Sequence, residues 1–247
     1  MTFTTPGASP DAATYPPRFF ALIPCAGSGS RALLAGQGTL AKQYRHLAGQ
    51  AMVWHTVQAF AEVPRVAACW VVVAPEDTFF ADQAASGWPC HVARCGGSSR
   101  AHSVAQGLQH LLSHGAASSD WALVHDAARC LVTPAQINAV IDACQHDSVG
   151  GLLAIPLPDT LKVAQNGRVA GTLPREDKWL AQTPQMFRIG PLLAALLQAG
   201  IQVTDEASAM EMLGHAPLLV TGSAQNFKVT YAEDFALAEA LLRSRMT

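Results

Sequence analysis

Short apolar runs alternate with helix-length amphipathic stretches along this chain, and that alternation leaves few architectures open. Strands buried on both faces read as continuous apolar segments, and parallel neighbours need a crossover helix between them. Phe19 to Cys25 is the first such run; Cys69 to Ala74, Trp121 to His125 and Gly151 to Pro156 follow, with a shorter one around His91 and Val92. Helical patterns fall between them, from about Ala51 to Ala61, from Ser99 to Leu112, and after Thr133-Pro134. There threonine suits an N-cap and proline the first helical position. Further helices are expected at Gly190 to Gln198, Asp205 to Leu213 and Ala232 to Arg243, the last opened by a Thr230-x-x-Glu233 capping box. The expected fold is α/β, a mostly parallel sheet with helices on both faces.

One segment breaks the alternation. Thr160 to Ala164 and Arg168 to Leu173 are short alternating runs on either side of Asn166-Gly167. Asn-Gly between such runs is a strong hairpin signal, because both turn residues must adopt positive φ. A hairpin inside a βαβ sheet has no core of its own, so it is expected to project and to lie on a second subunit. The chain therefore reads as one domain, 18–247, carrying an arm at about 157–174. Residues 1–17, rich in Thr, Ala, Pro and Gly, read as a disordered tail without the basic start and apolar core of a signal peptide.

Composition narrows function by exclusion. Net charge is −2, from 16 basic and 18 acidic residues, which gives no electrostatic reason to expect nucleic acid or an anionic membrane as partner. No apolar run reaches the roughly 18 residues of a membrane span. The six cysteines form no C-x-x-C pair and no zinc spacing, so a reducing cytoplasm is the simplest compartment.

Three segments carry chemistry. Pro24-Cys25-Ala26-Gly27-Ser28-Gly29-Ser30-Arg31 leaves the first strand, and Lys42 follows. Small residues let backbone N–H groups approach an anion closely, and Arg31 and Lys42 add positive charge. The third glycine of a dinucleotide fingerprint and the Walker lysine are both missing, so neither of those sites is favoured. A tight turn with a surface arginine is the bland alternative. Cys95-Gly96-Gly97-Ser98-Ser99-Arg100 with Ser103 is a second glycine turn opening a helix, suited to an anion or a base and equally to plain capping. His125-Asp126-Ala127-Ala128-Arg129 ends a strand, where α/β ligand sites form. Asp126 could hold a divalent ion and Arg129 could face a second anion. His125 is read as structural, since its side chain alternates away from that of Asp126. Asp205-Glu206 reads as a helix start favoured by the macrodipole.

Taken in order, these segments resemble the 2-C-methyl-D-erythritol 4-phosphate cytidylyltransferase family. The likeness continues through Pro158-Asp159-Thr160-Leu161-Lys162, Gln182-Thr183-Pro184-Gln185, Thr204-Asp205-Glu206-Ala207 and Asn226-Phe227-Lys228-Val229-Thr230, and covers roughly Phe19 to Arg243. The resemblance implies a Rossmann-like nucleotidyltransferase fold whose hairpin arm clasps a second subunit in a homodimer. It implies CTP binding by Cys25, Ala26, Gly27, Gly29, Gly97, Ser98 and Ser103. Arg31, Lys42, Arg175 and Lys228 would be catalytic, Arg175 acting in the partner subunit's site. Asp126, Ala127, Arg129, Thr160 and Thr183 would bind the sugar phosphate, with Asp126 beside Mg2+ or another divalent cation. Ala41, Ser98 and Cys130 depart from the family pattern, and the stretch from Arg31 to Lys42 is a few residues longer.

The implied reaction suits this inventory. A phosphate dianion can attack the α-phosphorus of CTP without a general base; the difficulty is joining two polyanions and stabilising charge on five-coordinate phosphorus. The chain has many Arg and Lys candidates and no Ser-His-Asp or Cys-His arrangement. A cytidylyltransferase for another polyol phosphate, such as ribitol 5-phosphate, shares most of these motifs. A nucleotide-sensing module without turnover is the alternative of a different class, and it predicts that the cations would be missing.

Overall fold

Phe19–Pro24 (β1) shows how the sheet is built. Ala21 and Ile23 point into one buried cluster, and Phe20 and Leu22 into another, so the strand is covered on both faces by side chains of period two. The structure is a computed structural model describing residues 16–27, 40–80, 87–200 and 203–245. After β1 come a 3-10 turn at Lys42–Tyr44, a small hairpin of His46–Leu47 (β2) and Gln50–Ala51 (β3), and the helix Met52–Ala61 (α1). Val66–Val72 (β4), His91–Ala93 (β5), Arg100–Ser113 (α2), Trp121–Val124 (β6), Pro134–Cys144 (α3) and Gly150–Pro156 (β7) continue the alternation. Thr133 caps α3 in a full capping box with Gln136.

Leu161–Gln165 (β8) and Arg168–Leu173 (β9) form the expected hairpin, with positive φ at Asn166 and Gly167. Among the described residues these two strands pair only with each other. Trp179–Arg188 (β10), Ile189–Ala199 (α4), Glu206–Met212 (α5), Leu218–Thr221 (β11) and Ala232–Ser244 (α6) complete the chain. The central sheet has the order β11-β7-β10-β6-β1-β4-β5. Only β10 runs antiparallel to its neighbours, so the expected mostly parallel sheet is present with one reversed strand inside it. Neither β10 nor β11 was expected as a strand.

Helices α1 and α3 cover one face through Val53, Val57, Phe60, Ile137 and Val140. Helices α2, α4 and α5 cover the other through Val104, Leu108, Leu192 and Met210. Helix α6 forms a third cluster with Leu47, Met52, Leu131 and Val229, which brings the end of the chain beside the loop after β6. The Thr230-x-x-Glu233 box is not what starts α6. Instead the Asp234 carboxylate accepts from the N–H groups of Thr230 and Tyr231, at 2.7 and 2.8 Å. The Thr230 hydroxyl turns back to the carbonyl of Lys228, which fixes the turn carrying that lysine.

Candidate active site

The connections from β1 leave on one side to β4 and β5, while β6 lies on its other side. A parallel sheet whose strand order reverses opens a crevice at the carboxyl ends of its strands, and here that point lies between β1 and β6. A cleft of about 550 Å3 occupies it, lined by Pro24–Gly27, Lys42, Gln43, the turn from Gly97 to Arg100, Ser103, Asp126–Ala128 and Lys228.

Each wall is held from behind. Cys25 donates its N–H to Val72 O at 2.7 Å, and the Gln43 amide donates to Cys25 O at 2.9 Å and Gly27 O at 2.8 Å. Both backbone polar groups of Cys25 are thus used inside the protein, and burial pushes its thiol well up, so it is no nucleophile. A Cβ placed on Gly96 would lie 2.3 Å from the Ala26 Cβ, so glycine there lets the two loops touch. Among the described residues a Cβ on Gly27 would meet nothing within 4 Å, so they leave an open floor there. Gly29 and Arg31 lie outside the described residues. The Lys42 ammonium reaches into the cleft and donates to Val229 O at 2.7 Å, linking the start of the chain to the turn before α6.

Ser99 caps α2 by accepting the His102 N–H, and the Ser103 hydroxyl accepts from Gly97 N–H at 3.1 Å while facing Ser99 O at 2.9 Å. The hydroxyl of Ser103 therefore shapes the turn. The positive end of this 14-residue helix points to the cleft, where Ser98 and Ser99 line it.

Asp126 is the electrostatic centre. Its Oδ1 accepts from Arg100 Nε at 2.8 Å, its Oδ2 from Lys228 Nζ at 2.8 Å, and Arg129 Nε lies 3.7 Å from Oδ2. Burial pushes its carboxyl up, but Arg100, Lys228 and Arg129 outweigh that and hold it well below the usual carboxylate range. Arg129 is anchored to two backbone carbonyls, Asn226 O at 2.7 Å and Ala181 O at 3.1 Å. Arg100 continues away from the cleft to Glu206, with NH1–Oε1 at 2.6 Å and NH2–Oε2 at 3.0 Å. The macrodipole reading of Asp205-Glu206 describes Asp205, which caps α5, whereas Glu206 turns inward to this pair.

Beneath Asp126 the motif Gln182-Thr183-Pro184-Gln185 acts as scaffolding. It bulges out of the β7–β10 ladder between Ala181 and Gln185. Thr183 is buried; its Oγ1 accepts from Asp126 N–H at 3.1 Å and lies 3.0 Å from His125 Nδ1. His125 Nε2 lies 3.1 Å from Arg129 O, which can only accept, so the proton sits on Nε2 and Thr183 donates to Nδ1. Burial lowers the His125 pKa to about 4, so the ring is neutral and structural, as its alternation in the strand suggests. Gln185 holds the start of α5 by donating to Asp205 at 2.8 Å and accepting from Ala207 N–H at 2.8 Å. Glu206 is placed by that grip.

The expected site residues divide. Cys25, Ala26, Gly27, Lys42, Gly97, Ser98, Ser103, Asp126, Ala127 and Lys228 all line the cleft. Arg129 and Thr183 stand behind it, each bonded to the backbone. Thr160 and Arg175 lie at the base of the hairpin, exposed, with Arg175 donating to Pro158 O. Sequence reasoning named Arg100 within the second glycine turn but gave it no role of its own, and it missed Glu206 as part of the site. No local signal could have paired Arg100 with Glu206, 106 positions away.

No cluster of three or more His, Cys, Asp or Glu suited to a metal occurs among the described residues. Among the described residues, Asp126 is the one carboxylate lining the cleft. Mg2+ is commonly held by one or two carboxylates together with substrate phosphates and water; here Oδ1 of Asp126 is engaged by Arg100 and Oδ2 by Lys228, with Arg129 close by, so this carboxylate does not fit the ion as a ligand. Glu206 does not qualify as a ligand, since both its oxygens are engaged by Arg100.

Comparison with known proteins bears on this geometry. The model of the family described as 2-C-methyl-D-erythritol 4-phosphate cytidylyltransferase matches residues 19–244. A bifunctional enzyme IspD/IspF of Albidiferax ferrireducens is 62% identical over 241 residues, covering 98% of this chain and 56% of that protein. The chain thus spans little more than half the length of that relative. A 2-C-methyl-D-erythritol 4-phosphate cytidylyltransferase of Paraburkholderia phytofirmans is 51% identical over 232 residues, covering 91% of this chain and 96% of that one. A crystal structure of 4-diphosphocytidyl-2C-methyl-D-erythritol synthase superposes with TM-score 0.81 at 36% identity, over 92% of this chain and 99% of the other.

Proposed function

This chain belongs to the 2-C-methyl-D-erythritol 4-phosphate cytidylyltransferase family and is a CTP-dependent cytidylyltransferase of isoprenoid biosynthesis, and we propose that it acts by in-line attack in the cleft between β1 and β6. A phosphate oxygen of 2-C-methyl-D-erythritol 4-phosphate attacks the α-phosphorus of CTP. A bond forms from the attacking oxygen to the α-phosphorus, the bond between the α-phosphorus and the α,β-bridging oxygen breaks, and pyrophosphate leaves with that electron pair. The products are 4-diphosphocytidyl-2-C-methyl-D-erythritol and pyrophosphate.

The observation that carries this reading is the set of cations gathered at the cleft, Arg100 and Lys228 on Asp126 with Arg129 behind them, and Lys42 held to Val229 O beside Lys228. Such fixed cations reduce repulsion between two polyanions and meet charge that develops on phosphorus. The open floor at Gly27 and the N-terminus of α2 suit the triphosphate. Lys42 and Lys228 line the space where the reacting phosphates would meet. A divalent cation such as Mg2+ carried by the triphosphate would neutralise charge on the leaving pyrophosphate.

The working unit on this reading is a homodimer joined by the arm. Val163, Val169 and Leu173 are 41, 67 and 45% exposed on strands that pair only with each other. Arg175, at the arm's end, would then serve the partner subunit's site. A cytoplasmic setting agrees with six unpaired cysteines, and no described helix is long and apolar enough to cross a membrane.

Pyrophosphate release with CTP, Mg2+ and single sugar phosphates tests the substrate. Release is expected with 2-C-methyl-D-erythritol 4-phosphate. Release with ribitol 5-phosphate alone would overturn the assignment.

A further inference from the structure

Gln43 lines the cleft and is buried, and the transfer reaction leaves it without a task. Its amide nitrogen carries two hydrogens and donates to Cys25 O at 2.9 Å and Gly27 O at 2.8 Å. Carbonyls only accept, so the amide can face them with its nitrogen alone. The same loop holds the opposite group in reserve. Among the described residues, the N–H groups of Ala26 and Gly27 have no acceptor in the protein. One side chain thus ties back the negative ends of two peptide groups and leaves neighbouring positive ends unclaimed. Successive backbone N–H groups form concavities that take anions. The carrier of this amide is itself fixed. The turn Lys42–Tyr44 is closed by Tyr44 N–H on Ala41 O at 2.9 Å, and the Tyr44 hydroxyl donates to Asp77.

We propose that Gln43 is a positioning residue for the nucleotide: by holding the carbonyls of Cys25 and Gly27 back, it keeps the N–H groups of the loop turned to the triphosphate. Because Gln43 follows Lys42 on one turn, the loop and that cation are set together. This inference rests on the reading that the triphosphate lies on the loop from Cys25 to Gly27.

Gln43→Glu keeps the shape and replaces both N–H donors by a carboxylate that repels the two carbonyls. Calorimetric affinity for CTP with Mg2+ at about pH 8.5 is expected to fall about 30-fold, the scale of two lost hydrogen bonds. The KM of the second substrate, 2-C-methyl-D-erythritol 4-phosphate, is expected to stay within about 2-fold, as it would not if the fold merely loosened. A buried carboxylate facing carbonyls has a raised pKa, so lowering the pH returns one donor as its O–H. At about pH 6.5 the ratio of variant to wild-type CTP affinity is therefore expected to recover about 5-fold. Wild-type affinity in the variant, equal losses for both substrates, or a ratio indifferent to pH overturns the proposal. Gly27→Asp, which puts a charge on the open floor, tests the reading beneath it. Unchanged CTP affinity in Gly27→Asp takes the triphosphate off the loop, and the proposal falls with that reading. Weakened binding in Gly27→Asp beside wild-type binding in Gln43→Glu overturns the proposal alone. Should Gln43→Glu fail to fold, Gln43→Met keeps the bulk with neither donor nor charge. Its CTP affinity is expected to fall about 30-fold at both pH values, and unchanged affinity overturns the proposal.

Discussion

His125 and Asp126 are neighbours in the chain with opposite electrostatic fates, and their pH windows separate. His125 is buried between Thr183 and Arg129 O, and burial lowers its pKa to about 4. An unfolded histidine titrates near 6.5, so below that value the unfolded chain takes up a proton that the native ring refuses. Stability attributable to His125 therefore falls as pH drops from about 6.5 to about 4, and the loss saturates below. At roughly 1.4 kcal/mol per unit this amounts to about 3 kcal/mol. Asp126 acts lower on the scale. Its native pKa is depressed by Arg100, Lys228 and Arg129 against burial, so its contribution is complete above the unfolded carboxylate value near 4 and fades only below it. Urea unfolding at a series of pH values should show wild type losing stability between pH 6.5 and 4 and His125→Gln losing about 3 kcal/mol less over that interval. Equal slopes would mean that His125 is not held neutral. At this scale the sequence was informative where chemistry is local. The alternation that turns His125 away from Asp126 is visible in the strand, whereas Glu206 beside Arg100 requires the whole fold.

Among the elements, the arm carries the clearest consequence. Strands β8 and β9 pair only with each other, and Asn166-Gly167 supplies the turn. A two-stranded hairpin alone is marginal in water, so an exposed one with Val169 at 67% accessibility calls for a covering surface. Val169→Asp is expected to shift the particle from two chains of 26.0 kDa to one, measured by light scattering, with the melting temperature of the sheet little changed. A wild-type protein already monomeric would refute the dimer. The hairpin was legible because turn chemistry is local. So were β1, β6 and β7, whose apolar runs announce burial on both faces, and β4 and the short edge strand β5, which are only partly buried. Strand β10 was not, for a physical reason. Its first three residues are exposed and its buried part carries Gln182, Thr183 and Gln185. Those polar groups are satisfied by Ser223 O, His125, Asp205 and Ala207, partners that no window of sequence displays. Strand β11 is four residues at the sheet edge and mostly exposed, so it leaves almost no apolar signal.

Considered as a whole, the molecule makes its cleft from segments spread over most of its length: residues 24–27, 42–43, 97–100 with 103, 126–128 and 228. The Lys42 bond to Val229 O ties the second of these to the residue after the last, across 187 positions. Helix α6, which follows Lys228, is seated on Leu47, Met52 and Leu131 in a cluster separate from the two that flank the sheet. Loss of α6 alone would remove Lys228 from Asp126 and open one side of the cleft. A ligand that touches all these segments therefore stabilises α6 and the sheet together, and does not bind a form in which α6 has left. At a CTP concentration 100 times its dissociation constant, with Mg2+ present, linkage predicts about 2.7 kcal/mol of added stability. Tryptophan fluorescence and far-ultraviolet dichroism should then follow one transition, moved upward as a unit. If α6 instead detaches while CTP stays bound, the two probes will part in the presence of ligand, and amide exchange in 232–244 will remain fast. That result would place Lys228 outside the CTP site and confine its action to the second substrate.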